Sequence, residues 1–360
     1  MRLRHASWFG LYALVACSSQ DAGDAKVHRS PSVGSDAGSE GDSGSGADAG
    51  PETDAGTPDS GQPDAGPPGR LTPSNLPADI CDSPGTKDLI VPGDPLGTCD
   101  IIVAQGNGFP DICVYKFDTV VIGAVMGFSE RRAVAIVATN TLTVTNAGGI
   151  DVSARDVFFN GSGAPDPRGA GFSGGGAGHV TRGGGSGGAA YASSGPQLSA
   201  GARGGNGSSA SGRPPVDGGA GGGAVQLVSC GRLDIHGPIE SNGTYGRSTA
   251  SNGTGGAGGG SGGMILLEAA QIFMQGASLR ALGGNGGSGA DYRPGSDLGR
   301  GGKGGTGSSL PEAGGGSGPF YGPGGGGGSI GRIVINLPQG VPPPVVNADP
   351  PAVFGVVATH

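Results

Sequence analysis

Aromatic side chains make up only 5% of the 360 residues, with a single tryptophan. Rings supply much of the buried area of ordinary cores, so a globular core of the usual kind is not expected. Cationic side chains are also few, 21 Lys and Arg against 29 Asp and Glu, for a formal charge of −8. No basic face is offered to phosphate backbones, which excludes nucleic acid as a partner. No apolar run reaches the roughly 20 residues that a transmembrane helix needs. Cysteines number 5, and the gaps between Cys81, Cys99 and Cys113 match no zinc spacing and have no histidine nearby. No metal site or other cofactor is expected.

What the chain has instead is glycine, 83 residues, with 28 prolines. The glycines keep no strict three-residue period, which argues against collagen and towards low complexity or an unusual repeat fold. Apolar residues are 34% of the chain and fall in short clusters, so a core built from short segments with long excursions between them remains possible.

The chain opens with MRLRHASWFGLYALVAC, two arginines followed by a short apolar run that ends at Cys17. This reads as a secretory leader. Leu14-Val15-Ala16-Cys17 resembles the bacterial lipobox at all four positions. The resemblance implies cleavage before Cys17, lipidation of that residue and stable membrane attachment through several acyl chains. Ser18 in the next position resembles the sorting pattern for the outer membrane of a two-membrane bacterium, so the expected location is that membrane or the cell surface.

Residues 18–70 hold ten acidic side chains against Lys26, Arg29 and Arg70, and Val27 and Val33 are the large apolar residues there. Asp-Ala-Gly recurs at 21–23, 36–38, 48–50, 54–56 and 64–66. Such a segment buries too little to offset its ordering entropy, so a disordered, extended tether is predicted. With Cys17 as anchor, four cysteines remain: Cys81, Cys99, Cys113 and Cys230. An even number in an exported domain predicts two disulfides among them, with three pairings open.

The folded part carries internal repeats. VQLVSCGRLDIHG at 225–237 aligns with MILLEAAQIFMQG at 264–276, pairing Val225 with Met264, Leu227 with Leu266, Leu233 with Ile272 and Ile235 with Met274. An upstream copy keeps the same offsets at Val134, Ile136, Leu142 and Val144, and a partial one, SIGRIVINL, lies at 329–337. Short strands follow at PIESNG, ASLRALGG and GIDVSA, and FDTVVIGAVMGF at 117–128 is an earlier coil. The copies keep no fixed period because the glycine-rich inserts between them vary in length. A unit of short strands with one apolar face must stack on its neighbours to bury it. The predicted fold is therefore all-β, a small right-handed parallel β-helix, with Gln226, Arg232, Asp234, Glu240 and Arg280 facing outward.

Residues 161–330 hold 59 of the 83 glycines. Two states are open for these inserts: mobile loops, or extended polyproline-II-like strands lying together. By composition the second is similar to the glycine bundles of phage-tail adhesins and some receptor kinases. The resulting division is a signal peptide over 1–16, lipidated Cys17 and tether over 17–70, and a cysteine-containing start of the folded domain over 71–133. Glycine-rich β-helical repeats follow over 134–338, then a proline-rich tail over 339–360. As a whole the chain resembles glycine-rich bacterial surface lipoproteins. Its glycine tracts look PE-PGRS-like, although no helical PE-type domain precedes them.

Catalytic motifs fare poorly. GGSGG at 184–188 fits a serine-elbow pattern without strand or helix context, and GRGGKGG at 299–305 lacks the Lys-Ser/Thr of a phosphate loop. Gly286–Asp291 copies the start of a calcium-binding nonapeptide, but Arg293 stands where an apolar residue is needed. Asn160, Asn206, Asn242 and Asn252 each open an Asn-Gly-Ser/Thr triplet and read as turn signals. Polar candidates beside the coils are Asp151, Arg155, Asp156, Asp234 and Glu240, with His179 and His236 isolated. Outward strand positions must be polar in any case, so no catalytic constellation is predicted. The expected role is structural or adhesive, towards extracellular polysaccharide, neighbouring cells or envelope proteins. The alternatives are a polysaccharide-active lyase or hydrolase on the same scaffold, and a glycine-bundle receptor-binding protein.

Overall fold

The computed structural model describes residues 70–93, 96–106, 109–128, 132–153, 173–185, 187–190, 197–207, 215–249, 255–289, 299–315 and 323–359. The leader, Cys17 and the tether lie outside them.

Among the described residues fifteen strands form, in three sheets. β1 (Leu71–Thr72) pairs antiparallel with β15 (Ala358–Thr359). The main sheet runs β14 (Val353–Val356), β12 (Arg332–Leu337), β10 (Met264–Met274), β8 (Ala224–Ile235), β6 (Ala133–Val144), β4 (Ile112–Ile122) and β2 (Leu89–Val91). All these neighbours are parallel, and β3 (Ile101–Val103) lies antiparallel on β4. The second sheet is β13 (Asn347–Asp349), β11 (Ser278–Arg280), β9 (Pro238–Glu240), β7 (Gly149–Asp151) and β5 (Val125–Gly127). From β6 to β12 each long strand passes by a short link to a strand of the second sheet. Where the next long strand is β8, β10 or β12, a glycine-rich segment leads back to it.

Period-two alternation drives the core. Ile122, Leu142, Val144, Ile150, Leu233, Ile235, Ile239 and Leu279 are fully buried in one cluster that joins the two sheets. Each such side chain contributes about 1.5–3 kcal/mol when withdrawn from water.

The all-β expectation fits, but the right-handed parallel β-helix with loop inserts does not form. The parallel sheets are present. The described parts of the glycine-rich inserts, however, add no strand to either of the two large sheets, and they form a backbone-bonded lattice. Residues 255–263 lie at its centre. The N–H groups of Gly256, Gly259 and Gly262 donate to the carbonyls of Pro323, Gly326 and Ser329. Those of Ala257, Gly260 and Gly263 donate to Arg247, Thr244 and Ser241, and those of Gly258 and Ser261 to Gly205 and Ala202. The carbonyls of Gly256 and Gly259 accept from Gly174 and Ala177, those of Ala257 and Gly260 from Gly287 and Gly284, and those of Gly258 and Ser261 from Gly219 and Gly222. This central segment therefore bonds to six neighbouring segments at 2.7–3.1 Å, each in a three-residue rhythm. That rhythm is the three residues per turn of polyproline II, which turns successive N–H groups towards different neighbours. A sheet strand bonds to two neighbours at most.

Such close approach requires glycine. A Cβ at Gly258 would overlap the Gly175 carbonyl, and one at Gly260 the Ala220 carbonyl. Alanine is nonetheless buried at Ala177, Ala202 and Ala257. Each lattice bond contributes about 1 kcal/mol net, whereas ordering a residue's backbone costs about 1–2 kcal/mol. The lattice is thus marginal alone and depends on its continuity with the main sheet. The Met264 N–H donates to Gly223 at 3.1 Å and the Arg332 N–H to Gly263 at 2.8 Å, carrying the lattice register into β8, β10 and β12.

The long strands have two halves. Residues 133–138, 224–229 and 264–269 are buried on both faces, whereas the later halves alternate. The outer face of the first halves is covered by Leu71, Leu76 and Ile80 from a strap over residues 71–81, together with Leu198 and Val357. This corrects the expectation for Gln226, which is fully buried, while Arg232 and Arg280 are exposed and Asp234 and Glu240 half-buried. The Gln226 Nε2 donates to the Ser74 carbonyl at 2.7 Å and to Glu268 Oε2 at 2.6 Å. Glu268 also accepts from the Ser74 N–H at 3.0 Å and from Asn336 Nδ2 at 2.7 Å. Burial pushes its carboxyl above the usual carboxylate range, against the opposing pull of those hydrogen bonds.

Disulfides join Cys81 to Cys230 and Cys99 to Cys113. The first pins the strap to β8 across 149 residues of sequence.

Candidate ligand cavity at the bulge row

The ladders of the main sheet break at one level. Pairing skips Asp118 in β4, Thr139 and Asn140 in β6, Cys230 and Gly231 in β8, and Ala270 in β10. The two central strands thus carry one more residue than their outer neighbours, a β-bulge that aims side chains differently on its two sides. Polar groups hold the bulges in place. Asp118 Oδ1 accepts from Thr139 Oγ1 at 2.9 Å and from Asn140 Nδ2 at 2.8 Å. The Ser229 hydroxyl is placed to donate to the carbonyls of Asn140, at 3.0 Å, and Arg232, at 2.7 Å. At Gly231 a Cβ would run into the Asn140 carbonyl, so glycine is required at this crossing.

A cavity of about 600 Å³ opens over this row, within the roughly 300–1,000 Å³ of small-ligand sites. It is lined by Thr139 to Thr141, Cys230 to Arg232, Ala270 and Gln271 of the sheet, together with Pro338, Val341 and Thr359. Beyond the bulge Thr141, Arg232 and Gln271 fall in one register row. The Arg232 Nε donates to Asp234 Oδ1 at 2.8 Å, and its guanidinium carbon sits 4.1 Å from the centre of the Phe273 ring. No carboxylate, imidazole or free thiol lines the cavity, because Cys230 is spent in its disulfide. The wall can hydrogen-bond a ligand but offers no group for acid–base or nucleophilic chemistry.

The polar candidates read from sequence do not converge here. Asp151 and Glu240 are register partners on the second sheet, next to Arg280. Asp151 Oδ1 accepts from the Ser153 N–H at 2.9 Å, and Glu240 lies 3.9 Å from Arg280. Asp234 belongs to the other sheet. Arg155, Asp156, Ser186, Asp291, Asn160, Asn252 and Cys17 lie outside the described residues. Asn206 and Asn242, expected in turns, accept from the N–H groups of Gly218 at 3.0 Å and Leu282 at 2.9 Å and so stitch lattice segments together. His179 is fully buried against Ser199, with Nε2 3.0 Å from its hydroxyl. Burial first, then the Arg332 charge, lowers it to about 4, against an upward pull from the Ser199 backbone. His236 sits in the link between β8 and β9, where its N–H donates to the Val144 carbonyl. Among the described residues no cluster of three metal-ligating side chains occurs.

The cavity itself was not legible in the sequence. Its trace is the extra residue that β6 and β8 carry against β10, which a gapless alignment of the copies hides. No family model matches the chain, and neither a curated protein nor a solved structure matches it.

Proposed function

We propose that the chain is a non-enzymatic surface lipoprotein, anchored through Cys17 and held off the membrane by the acidic tether, whose folded part is a stiff adhesive head. The observation that carries this reading is the six-neighbour lattice around residues 255–263. So much backbone committed to mutual hydrogen bonding makes a rigid body with almost no side-chain chemistry, which suits display better than turnover. The lipobox and the tether supply the location, the outer membrane or cell surface of a two-membrane bacterium. The partners are extracellular polysaccharide, neighbouring cells or other envelope components.

Cells carrying the parent chain or Cys17→Ser are compared for membrane fractionation, protease shaving of the surface, and adhesion to cells and matrix. The reading expects loss of membrane association and of adhesion in the variant. Unchanged adhesion after deletion of the whole chain would contradict it. A second reading, receptor binding by the lattice flank, is favoured by Tyr245, which is 71% exposed beside exposed Arg247. It expects Tyr245→Ala to reduce adhesion while leaving ligand binding in the cavity intact.

A further inference from the structure

We infer that the bulge-row cavity is a binding site for a short neutral oligosaccharide. The inference gives the adhesive reading a ligand class and rests on that reading only for its biological setting.

The first argument is unspent hydrogen-bonding capacity. Among the described residues Thr141 and Gln271 have no side-chain hydrogen-bond partner, and Arg232 commits its Nε to Asp234. The three stand in register on β6, β8 and β10, where adjacent strands lie about 4.8 Å apart. A hydroxyl, a guanidinium and an amide are therefore presented in a line about 10 Å long, two strand spacings. Such a row can meet successive hydroxyl groups of a linear sugar chain.

The second argument is charge. Arg232 is the one charged residue in the lining, and Asp234 meets its charge at 2.8 Å. An acidic polysaccharide would need an unmatched cation, which the lining does not supply. A neutral ligand takes directional hydrogen bonds from the same groups without that requirement. The third argument is the apolar part of the lining, where Pro338 and Val341 offer C–H surface. Pyranose rings carry hydroxyls at their edges and C–H groups on their faces, and a lining with both polar and apolar side chains offers partners for each. The stacked Arg232 and Phe273 fix the row's central donor, so little ordering cost is left for the moment of binding.

The test is calorimetric titration of the full chain in detergent micelles with maltotetraose, cellotetraose, fully N-acetylated chitotriose and mannotriose, and with trigalacturonate as the acidic counterpart. At least one neutral probe should bind, and trigalacturonate should bind at least about tenfold more weakly. The Thr141→Val/Gln271→Ala double variant should lose at least about tenfold in affinity, the scale of one or two ligand hydrogen bonds. Val341→Trp, which adds bulk to the cavity lining away from the two hydrogen-bonding side chains, should also abolish binding, and native circular dichroism of both variants guards against misfolding. Binding of no neutral probe, preference for trigalacturonate, or unchanged affinity in both variants would overturn the proposal. If the variants lose oligosaccharide but keep cell adhesion, the cavity is not the adhesive surface. If oligosaccharide binding is intact while deletion of the chain leaves adhesion unchanged, the adhesive reading fails and the site stands.

Discussion

Gly258→Ala puts one methyl group at the centre of the glycine lattice, and its cost can be worked from the surrounding bonds. The new Cβ would overlap the carbonyl of Gly175, so the segment carrying that residue must move away. Among the bonds that hold that segment, three tie it to residues 205, 256 and 259: Gly174 N–H to Gly256, Ala177 N–H to Gly259, and Gly205 N–H to the Gly175 carbonyl, at 2.9–3.0 Å. Losing them at about 1 kcal/mol each, with some buried groups left unpaired, costs about 3–5 kcal/mol. The matched control is Gly97→Ala, where nothing lies within 4 Å of the added methyl. There the substitution should be neutral or stabilising by about 0.4–1 kcal/mol, through a stiffer unfolded chain. Urea unfolding of the two variants and the parent, followed by circular dichroism, reads the difference. Equal stability of the two variants would refute the reasoning, because the lattice would then not be packed closely enough to exclude a methyl group.

The disulfides should differ in worth: by loop entropy, removing Cys81–Cys230 costs about 5 kcal/mol and removing Cys99–Cys113 about 3 kcal/mol, measured with paired Cys→Ser variants. Glu268 holds its proton more tightly folded than unfolded, so its contribution is complete below the ordinary carboxylate value and fades as pH rises through the raised folded value. Unfolding titrations from about pH 4 to 8 should show Glu268→Gln losing less stability than the parent over that rise. His179 has the opposite sign: lowered from 6.5 to about 4, it costs the fold stability as pH falls between those values. The loss should approach about 3 kcal/mol and be smaller in His179→Gln, seen in the same titrations.

The strands were legible because their alternation is strong. The Val134, Ile136, Leu142 and Val144 copy sits opposite Val225, Leu227, Leu233 and Ile235, as their offsets imply. The alignment of the next copy holds for Leu233 with Ile272 and Ile235 with Met274 but is one residue out earlier. Val225 faces Ile265 and Leu227 faces Leu267, because β8 bulges by one residue against β10. A one-residue slip exchanges the faces of a strand. Gln226 was misplaced for a different reason, since what buries it is the strap over residues 71–81, distant in sequence and joined through Cys81. The prolines of residues 339–360 gave no hint that β13, β14 and β15 lie there. The glycine inserts were ambiguous in principle. Hydrophobic periodicity reveals sheets and helices through side chains, and a lattice made by backbone groups alone leaves no such pattern. In the candidate cavity Thr141, Arg232 and Gln271 look like ordinary outward strand positions, and only the structure places them in one row.

Amide hydrogen exchange of the native protein at residues 255–263 tests the central claim most directly. Buried, bonded lattice amides should exchange only through large-scale opening, with protection comparable to that of β8 and β10. Exchange of Gly256, Gly258, Gly259 and Gly260 at the rate of an unstructured peptide, while β8 and β10 stay protected, would contradict the lattice and with it the stiff head.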